Sequence, residues 1–422
     1  MCTAARRGFL SCRGSDGRDG DPGTPLPKGE GLEGAPALSN PHRPRDEADL
    51  VELVATTTAD GGHLLIEGGG SRSRIGAPPL DGAQAVDLSA FSGVIDYEPT
   101  ELVLTAKAAT PMDEIEALLA ANNQMLAFEP PRHAGLCGRP GACPTLAGAL
   151  AANAAGPRRL SAGAARDHFL GFRAVSGRGE AFKAGGKVVK NVTGFDLSKV
   201  MAGSWGTLSV LTEVSVKVLP RPPFTATLVL TGLDPARACA AMARACASPA
   251  PITGAAHLEI HDGRPATLLR LEGFEPSVRV RIDALRALLA GFDKAALLEG
   301  ADSLGLWREI GEVTPLAPLT DPLWRVSIPA AQAPALVSGL APETWMMDWA
   351  GGLVWVHAEK PPRLPGRDGH VQYWGGAPAG SAPSHADQLS PAALRISQNL
   401  KAAFDPADVL NRGRLLPALG AG

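Results

Sequence analysis

The chain has 422 residues, 45% hydrophobic and 20% charged, with a formal net charge of −3. That length exceeds one ordinary core and predicts two domains, while 40 basic against 43 acidic residues leave no basic excess for a nucleic-acid face. No apolar run approaches the roughly 18 residues of a membrane span, so membrane association is expected to be peripheral at most.

Residues 1–40 are rich in Gly and Pro and carry no apolar period, which predicts a disordered extension. Arg6-Arg7-Gly8-Phe9-Leu10 begins like a signal peptide, but the apolar stretch that should follow is missing. Apolar spacing from Leu50 to Val54 predicts a helix over 46–58, and "HLLIEGG" a short buried strand ending in glycine. The loop Gly68-Gly69-Gly70-Ser71-Arg72-Ser73 follows. It satisfies neither the P-loop spacing nor the dinucleotide fingerprint. Consecutive glycines nevertheless let successive N–H groups converge on an anion, with Ser71 to donate and Arg72 to neutralise. A flexible surface turn is the competing reading.

"AVDLSAFSGVIDYEPTELVLTAKAAT" gives three short strands. A helix comes next, with Thr110 as its cap, Pro111 in its first turn, Asp113 closing a capping-box-like spacing, and Met112, Ile115, Leu118 and Leu119 as its apolar face. Residues 145–156 predict a helix of small residues ending at Gly156-Pro157, against which a backbone or a flat ligand can pack closely. "FDLSKVMAGS" reads as a helix from Asp196 to a stop at Gly203. Alternation then places Leu208, Val210, Thr212, Val214, Val216 and Val218 on one face of a strand. Pro220, Pro222 and Pro223 mark a boundary.

Beyond it, strands at 225–230, near 256–261 and near 267–271 alternate with helices at 235–247 and 277–290, and "WRVSIP" and "GLVWVHAE" add later strands. This mixture predicts a compact α+β domain with an antiparallel sheet. The chain closes on an amphipathic helix and a polar tail, and no internal repeat is visible. None of the six cysteines (Cys2, Cys12, Cys137, Cys143, Cys239, Cys246) forms a C-x-x-C pair, so reduced thiols are expected and no metal site, with Cys239 and Cys246 as small core residues. His257 and His261 share a strand, where four residues separate them by roughly 13 Å, too far to share a zinc. His168 and the tryptophans at 345, 349, 355 and 374 read as packing residues.

Taken in order, these elements resemble the FAD-binding domain of the p-cresol methylhydroxylase and vanillyl-alcohol oxidase superfamily. They resemble still more the family of FAD-binding E subunits of bacterial glycolate oxidase (glycolate dehydrogenase). The resemblance rests on "YEPTELVLTAKAATPMDEIEALL", "NQMLAFEPP", "GPRRLSAGAARDHFLG", "KNVTGFDLSKVMAGSWGTLSVLTEVSVKVLPRP", "PLWRVSIP" and "FDPADVLNRGR", and covers about residues 45–415. It departs in two places. Ser209 stands where the family commonly has a glycine, in Gly206-Thr207-Leu208-Ser209, and "RHAGLCGRPGACPTLAG" lengthens a loop that is usually a tight turn.

The resemblance implies an α+β fold: a two-subdomain FAD-binding domain of the p-cresol methylhydroxylase type over 41–222, a smaller α+β cap over 223–390, and a C-terminal segment, 391–422, returning to the FAD domain. It implies noncovalent FAD, since the loop has no histidine to carry a bond. The diphosphate would lie on Gly68, Gly69, Gly70, Ser71, Arg72 and Ser73. Pro130, Thr145, Gly148, Asn153, Gly156 and Arg158 would form the middle of the site. Lys190, Asn191, Gly194, Asp196, Gly203, Gly206 and Val210 would close it.

A cation near the flavin's pyrimidine end, from Arg158, Arg159 or Lys190, would stabilise the reduced form. His370 is the other candidate near substrate. The implied reaction is oxidation of glycolate, a 2-hydroxy acid, to glyoxylate by hydride transfer to the flavin. Electrons would pass to an iron–sulfur subunit and quinone, because this chain supplies no cluster ligands. Partners would be that subunit and a larger FAD subunit, in the cytoplasm or peripherally on the inner face of the cell membrane. The larger subunit's H-x-G-D-G-N-x-H signature is missing here. A second reading therefore stands beside the first: a structural or electron-relay subunit whose partner oxidises the substrate. A self-sufficient oxidase of another hydroxy acid or alcohol is the third.

Overall fold

The computed structural model describes residues 41–417, apart from 73–74, 76–79, 134–135, 137–140, 187–194, 294, 318–321, 341–343, 367 and 376–384. The extension expected over 1–40, with Cys2 and Cys12, lies outside the described residues, as does Cys137.

Helix α1 (Glu47–Ala59) starts where Asp46 accepts a hydrogen bond from the Asp49 amide, and it buries Leu50 and Val54. Strands β1 (Leu64–Glu67) and β2 (Gln84–Asp87) pair in parallel. A five-stranded antiparallel sheet follows, built from β3 (Val94–Glu98), β4 (Val103–Lys107), β6 (Phe169–Ser176), β7 (Ala181–Gly185) and β8 (Ser209–Lys217) in the order β3-β4-β8-β6-β7. With it pack α2 (Met112–Ala121), α3 (Leu146–Ala151), α5 (Ala165–His168) and α6 (Leu197–Met201), while the short α4 (Arg159–Ala162) turns towards the later part of the chain. The short β5 (Gln124–Met125) pairs with β9 (Leu219–Pro220).

Three local expectations are corrected. Thr110 does not cap α2: its buried hydroxyl donates to the Lys107 carbonyl at 2.7 Å and accepts from the Gly93 amide, so it closes a turn instead. The helix expected over 145–156 stops at Ala151, because Asn153 takes a left-handed φ of 48°. The residues from 208 to 218 do not share one face. Arg173 pairs with Glu213 but Ala174 with Leu211, so Thr212 is a bulge on β8 that inverts the alternation. Val210 therefore packs with Leu50, Val54 and Val175, whereas Val214 and Val216 pack with Met112 and Leu150 on the other side.

The remaining strands are β10 (Phe224–Thr231), β11 (Gly254–His261), β12 (Arg264–Gly273), β13 (Ala296–Glu299), β14 (Leu323–Ser327), β15 (Trp345–Asp348), β16 (Leu353–His357) and β17 (His370–Gly375). They form one antiparallel sheet in the order β13-β10-β12-β11-β15-β16-β14-β17. The helices between them are α7 (Pro235–Cys246), α8 (Glu275–Leu289), α9 (Gly300–Gly311) and α10 (Ala333–Leu340). This order holds a repeat that the sequence conceals. The run β10-α7-β11-β12-α8-β13 and the run β14-α10-β15-β16-β17 are the same strand arrangement in mirrored order, the second lacking one helix.

One sheet face, with Leu228, Trp324 and Val354, buries α7, α8 and α10. The other, with Leu268, Trp355 and Trp374, packs with α9 and with Ile75, Leu136, Ala155 and Trp205 of the first part. Helix α7 buries Ala238, Ala241, Met242 and Ala245, which leaves Cys239 half-buried and Cys246 exposed rather than in the core. His257 is buried and stacks on Trp345, while His261 lies beyond a register shift.

The chain ends by returning to its beginning. Helix α11 (Pro391–Phe404) leads into a turn where Leu410 pairs in parallel with Leu64. The buried ammonium of Lys401 donates to Asp405 and to the carbonyls of Thr207 and Leu410, at 2.5, 2.9 and 3.0 Å.

Candidate functional site

A cleft opens where β1, the sheet containing β8, α3 and the C-terminal turn meet. Its floor is the loop Gly68–Arg72, which runs so close to the neighbouring segment that side chains have no room. A Cβ on Gly69 would lie 1.6 Å from the Cys143 carbonyl oxygen, and one on Gly68 would lie 2.8 Å from Thr145 Oγ1. Among the described residues no protein acceptor takes the amides of Gly68 and Gly69. Successive glycine amides without a protein acceptor form a concave bed that suits an acceptor-rich ligand. Two cations flank it. Arg72 donates to the Pro131 carbonyl, and Arg414 donates to the Arg72 carbonyl at 3.0 Å and lies over the Trp205 ring at 5.0 Å.

The cleft brings together Gly68, Gly69, Gly70, Ser71, Arg72, Thr145, Gly148, Gly206 and Val210 from the sequence-derived set. Thr145 caps α3 by accepting from the Gly148 amide at 3.2 Å. Six others do not line this cleft. Asn153 accepts from the Arg166 amide at 3.0 Å, and Gly203, at φ 87°, turns the chain beside it. Gly156 accepts from the Trp349 indole at 3.0 Å, Pro130 is buried next to Glu129, and Asp196 is exposed before α6. Arg158 is committed to carboxylates, as described below. Ser73, Lys190, Asn191 and Gly194 lie outside the described residues.

Sequence reasoning missed Asn411 and Arg414 as site residues. The Asn411 side chain accepts from the Ile66 amide and donates to the Trp205 carbonyl, both at 2.8 Å, tying the C-terminal turn across the cleft. The signal was the polar tail "NRGR", which has no apolar period to explain it.

Between the first part and the eight-stranded sheet lies a buried ionic quartet. Glu129 receives both terminal nitrogens of Arg270 at 2.9 Å, and the amide and guanidinium of Arg158 at 2.7 and 3.0 Å. Glu272 takes the other side of Arg158. Burial alone would raise Glu129's proton affinity, but Arg270 and Arg158 outweigh it and hold the carboxyl below its ordinary range. Next to this quartet, burial pushes Asp348 up to about 7. Burial lowers His133 well below the usual histidine range, with Arg72 and Arg325 adding to the effect. His370 is half-buried, 2.9 Å from His385, and lowered to about 4 by burial and then by the His385 and Arg325 charges. His168 packs against Phe128 and bonds the Ala162 carbonyl, as a packing residue should.

Comparison with known proteins shows the family of the chain. The FAD binding domain family matches residues 42–185. The chain is 35% identical over 376 residues to the glycolate oxidase subunit GlcE of Escherichia coli (strain K12), covering 88% of this chain and 97% of that one. The chain belongs to the GlcE family. FAD is therefore its cofactor, and the cleft's small residues and unpaired amides fit such a group. GlcE-type sequence similarity extends more weakly to the glycolate oxidase subunit GlcD of Bacillus subtilis (strain 168), 26% identical over 44% of this chain and 38% of that one. A solved structure of alkyldihydroxyacetonephosphate synthase superposes with a TM-score of 0.62 at 14% identity, covering 88% of this chain and 76% of that one, and shows the shared fold. Among the described residues no helix is long and apolar enough to cross a membrane.

Proposed function

We propose that FAD lies noncovalently in the cleft, with its diphosphate on Gly68–Arg72, and that this chain is the FAD-binding subunit of a glycolate oxidase complex, converting glycolate to glyoxylate. The observation that carries the reading is the glycine bed, where the amides of Gly68 and Gly69 have no protein acceptor among the described residues and a Cβ at Gly69 would collide with Cys143. Converging amides and the Arg72 and Arg414 guanidiniums neutralise a diphosphate; each such charge-assisted bond contributes about 1.5–3 kcal/mol. Ala108, Ala109, Gly148 and Ala151 leave width for a flat ring system. Among the described residues lining the cleft there is no histidine, cysteine or tyrosine to form a covalent link.

When bound, FAD supplies the acceptor for two electrons. The residues around it bind, orient and exclude water. Arg158 is not the cation at the flavin's edge, because Glu129 and Glu272 already neutralise it. The eight-stranded sheet presents its tryptophan-rich face towards the first part and keeps that boundary dry. We assign electron delivery to an iron–sulfur subunit and then quinone, within a complex that also holds a larger FAD subunit and meets the inner membrane face peripherally.

The test is to purify the chain and record its flavin absorption with and without those partners, anaerobically, before and after glycolate. Bleaching of the isolated chain's flavin supports oxidation here. Bleaching only with the larger subunit present assigns this chain to electron relay. A colourless chain that takes up no FAD refutes the reading.

A further inference from the structure

Arg325 carries a charge that the protein leaves unmatched. It sits in the middle of β14 between Trp324 and Val326, whose side chains enter the helix-covered core. Strand alternation therefore turns Arg325 to the opposite face, towards the first part. There its guanidinium lies 5.1, 5.9 and 5.6 Å from the ring centres of Trp349, Trp355 and Trp374. Among the described residues it makes no hydrogen bond and no ion pair. The contrast with its neighbours is sharp: Arg158 and Arg270, on the same boundary, are both bound by Glu129 and Glu272.

The surroundings are cationic and poor in competing anions. Arg159 lies 4.6 Å from the same Trp349 ring. The nearest carboxylate influence is Asp348, whose oxygen accepts from the Trp349 amide at 2.7 Å and which forms no ion pair with Arg325. Burial draws the Arg325 guanidinium down to about 10, with Arg159 adding to the effect and Asp348 opposing it, so it is charged at neutral pH. A planar guanidinium set among aromatic rings offers a fork of N–H donors, which matches a carboxylate in two-point geometry. The aromatic walls lower the local dielectric and strengthen that pair.

We propose that Arg325, held on Trp349, Trp355 and Trp374, binds the carboxylate of the substrate and makes this chain selective for small carboxylic acids over their neutral analogues. The proposal rests on the reading that a 2-hydroxy acid is oxidised on this chain, and its own readout is anion binding rather than turnover.

The experiment measures binding of oxalate, glycolate and neutral glycolamide to the full chain by calorimetry and tryptophan quenching. Flavin content is recorded for every sample. Wild type is expected to bind oxalate and glycolate but not glycolamide. Arg325→Met should keep its flavin and lose oxalate affinity by about 100-fold or more, the scale of one desolvated charge pair. Arg325→Lys keeps the charge without the fork and should lose about 10-fold. Oxalate binding by Arg325→Met at wild-type strength overturns the proposal, as does failure of wild type to bind oxalate. Should the methionine variant not fold, unchanged oxalate affinity in Arg325→Lys overturns it equally. A wild type that binds oxalate through Arg325 yet holds no FAD would sink the flavin reading and leave this one standing.

Discussion

Gly69 shows how little freedom the cleft floor has. Its Cα faces the Cys143 carbonyl at a range where even a methyl group overlaps backbone, and backbone cannot rotate away as a side chain can. Gly69→Ala is therefore expected to displace the loop and weaken FAD binding by at least about 10-fold, or 1.4 kcal/mol, read as flavin content and by titration with FAD. Thermal stability without FAD should fall less, because the loop is at the surface of its core. Asp348 is the residue-scale counterpart for pH. Its carboxyl is raised by burial from an ordinary 3.8 to about 7, so the folded chain holds a proton that the unfolded chain releases. The unfolded state then holds fewer protons than the folded state across that window, and stability declines as pH rises from about 4 to about 7. Asp348→Asn, which keeps an oxygen for the Trp349 amide, should flatten that slope. Melting curves should coincide near the acid end, and the variant should be the more stable above neutrality. Parallel curves for the two proteins would show that Asp348 titrates normally.

At the scale of elements, α11 and the turn after it are the parts whose removal reaches furthest. Lys401 is buried between Asp405 and Asp408, at 2.5 and 3.0 Å, and also donates to two carbonyls. Lys401→Met leaves buried carboxylates without their ammonium, which costs about 3–5 kcal/mol. Because that turn carries Asn411 and Arg414 into the cleft, the variant should lose FAD affinity along with stability. A urea midpoint that falls while FAD affinity stays unchanged would separate the two roles. Most elements near here were legible in the sequence, since α1, the strand at β1 and the α6 punctuation announce themselves by period and by capping residues. The β8 bulge was not: an unbroken run of alternating valines gives no sign that Thr212 is left over, because the extra residue is set by pairing with β6. Helices α9 and α10 were also unread, their apolar spacing lost among small residues.

On the scale of the whole molecule, the ionic quartet joins the first part to the eight-stranded sheet through Glu129, which holds Arg158 from its own side and Arg270 from the other. Glu129→Gln leaves two buried guanidiniums sharing the single carboxylate of Glu272, a loss of about 3–5 kcal/mol. All tryptophans except Trp205 lie on the eight-stranded sheet's part of the chain. Tryptophan emission therefore reports one part and flavin release the other. In wild type the two signals should change together in denaturant, whereas in Glu129→Gln they should separate; coincident curves in the variant would count against the quartet as the coupling. The architecture itself was readable in outline. Arg158 was not: "GPRR" marks a basic turn, and only the fold reveals that Glu129 and Glu272 wait for it. The mirrored strand order was equally hidden, because the two halves share topology and no recurring sequence period.

The closing turn carries one more consequence. Leu410 pairs with Leu64, and Asn411 clasps both Ile66 and Trp205, so the seat for the coenzyme is assembled from positions almost 350 residues apart in translation, from 64 to 411. A nascent chain on the ribosome exposes the glycine floor more than 300 residues before its wall has been made. Capture of the coenzyme thus waits for the second of these segments, and a protein clipped just before Asn411 is expected to fold much of itself and to hold little flavin.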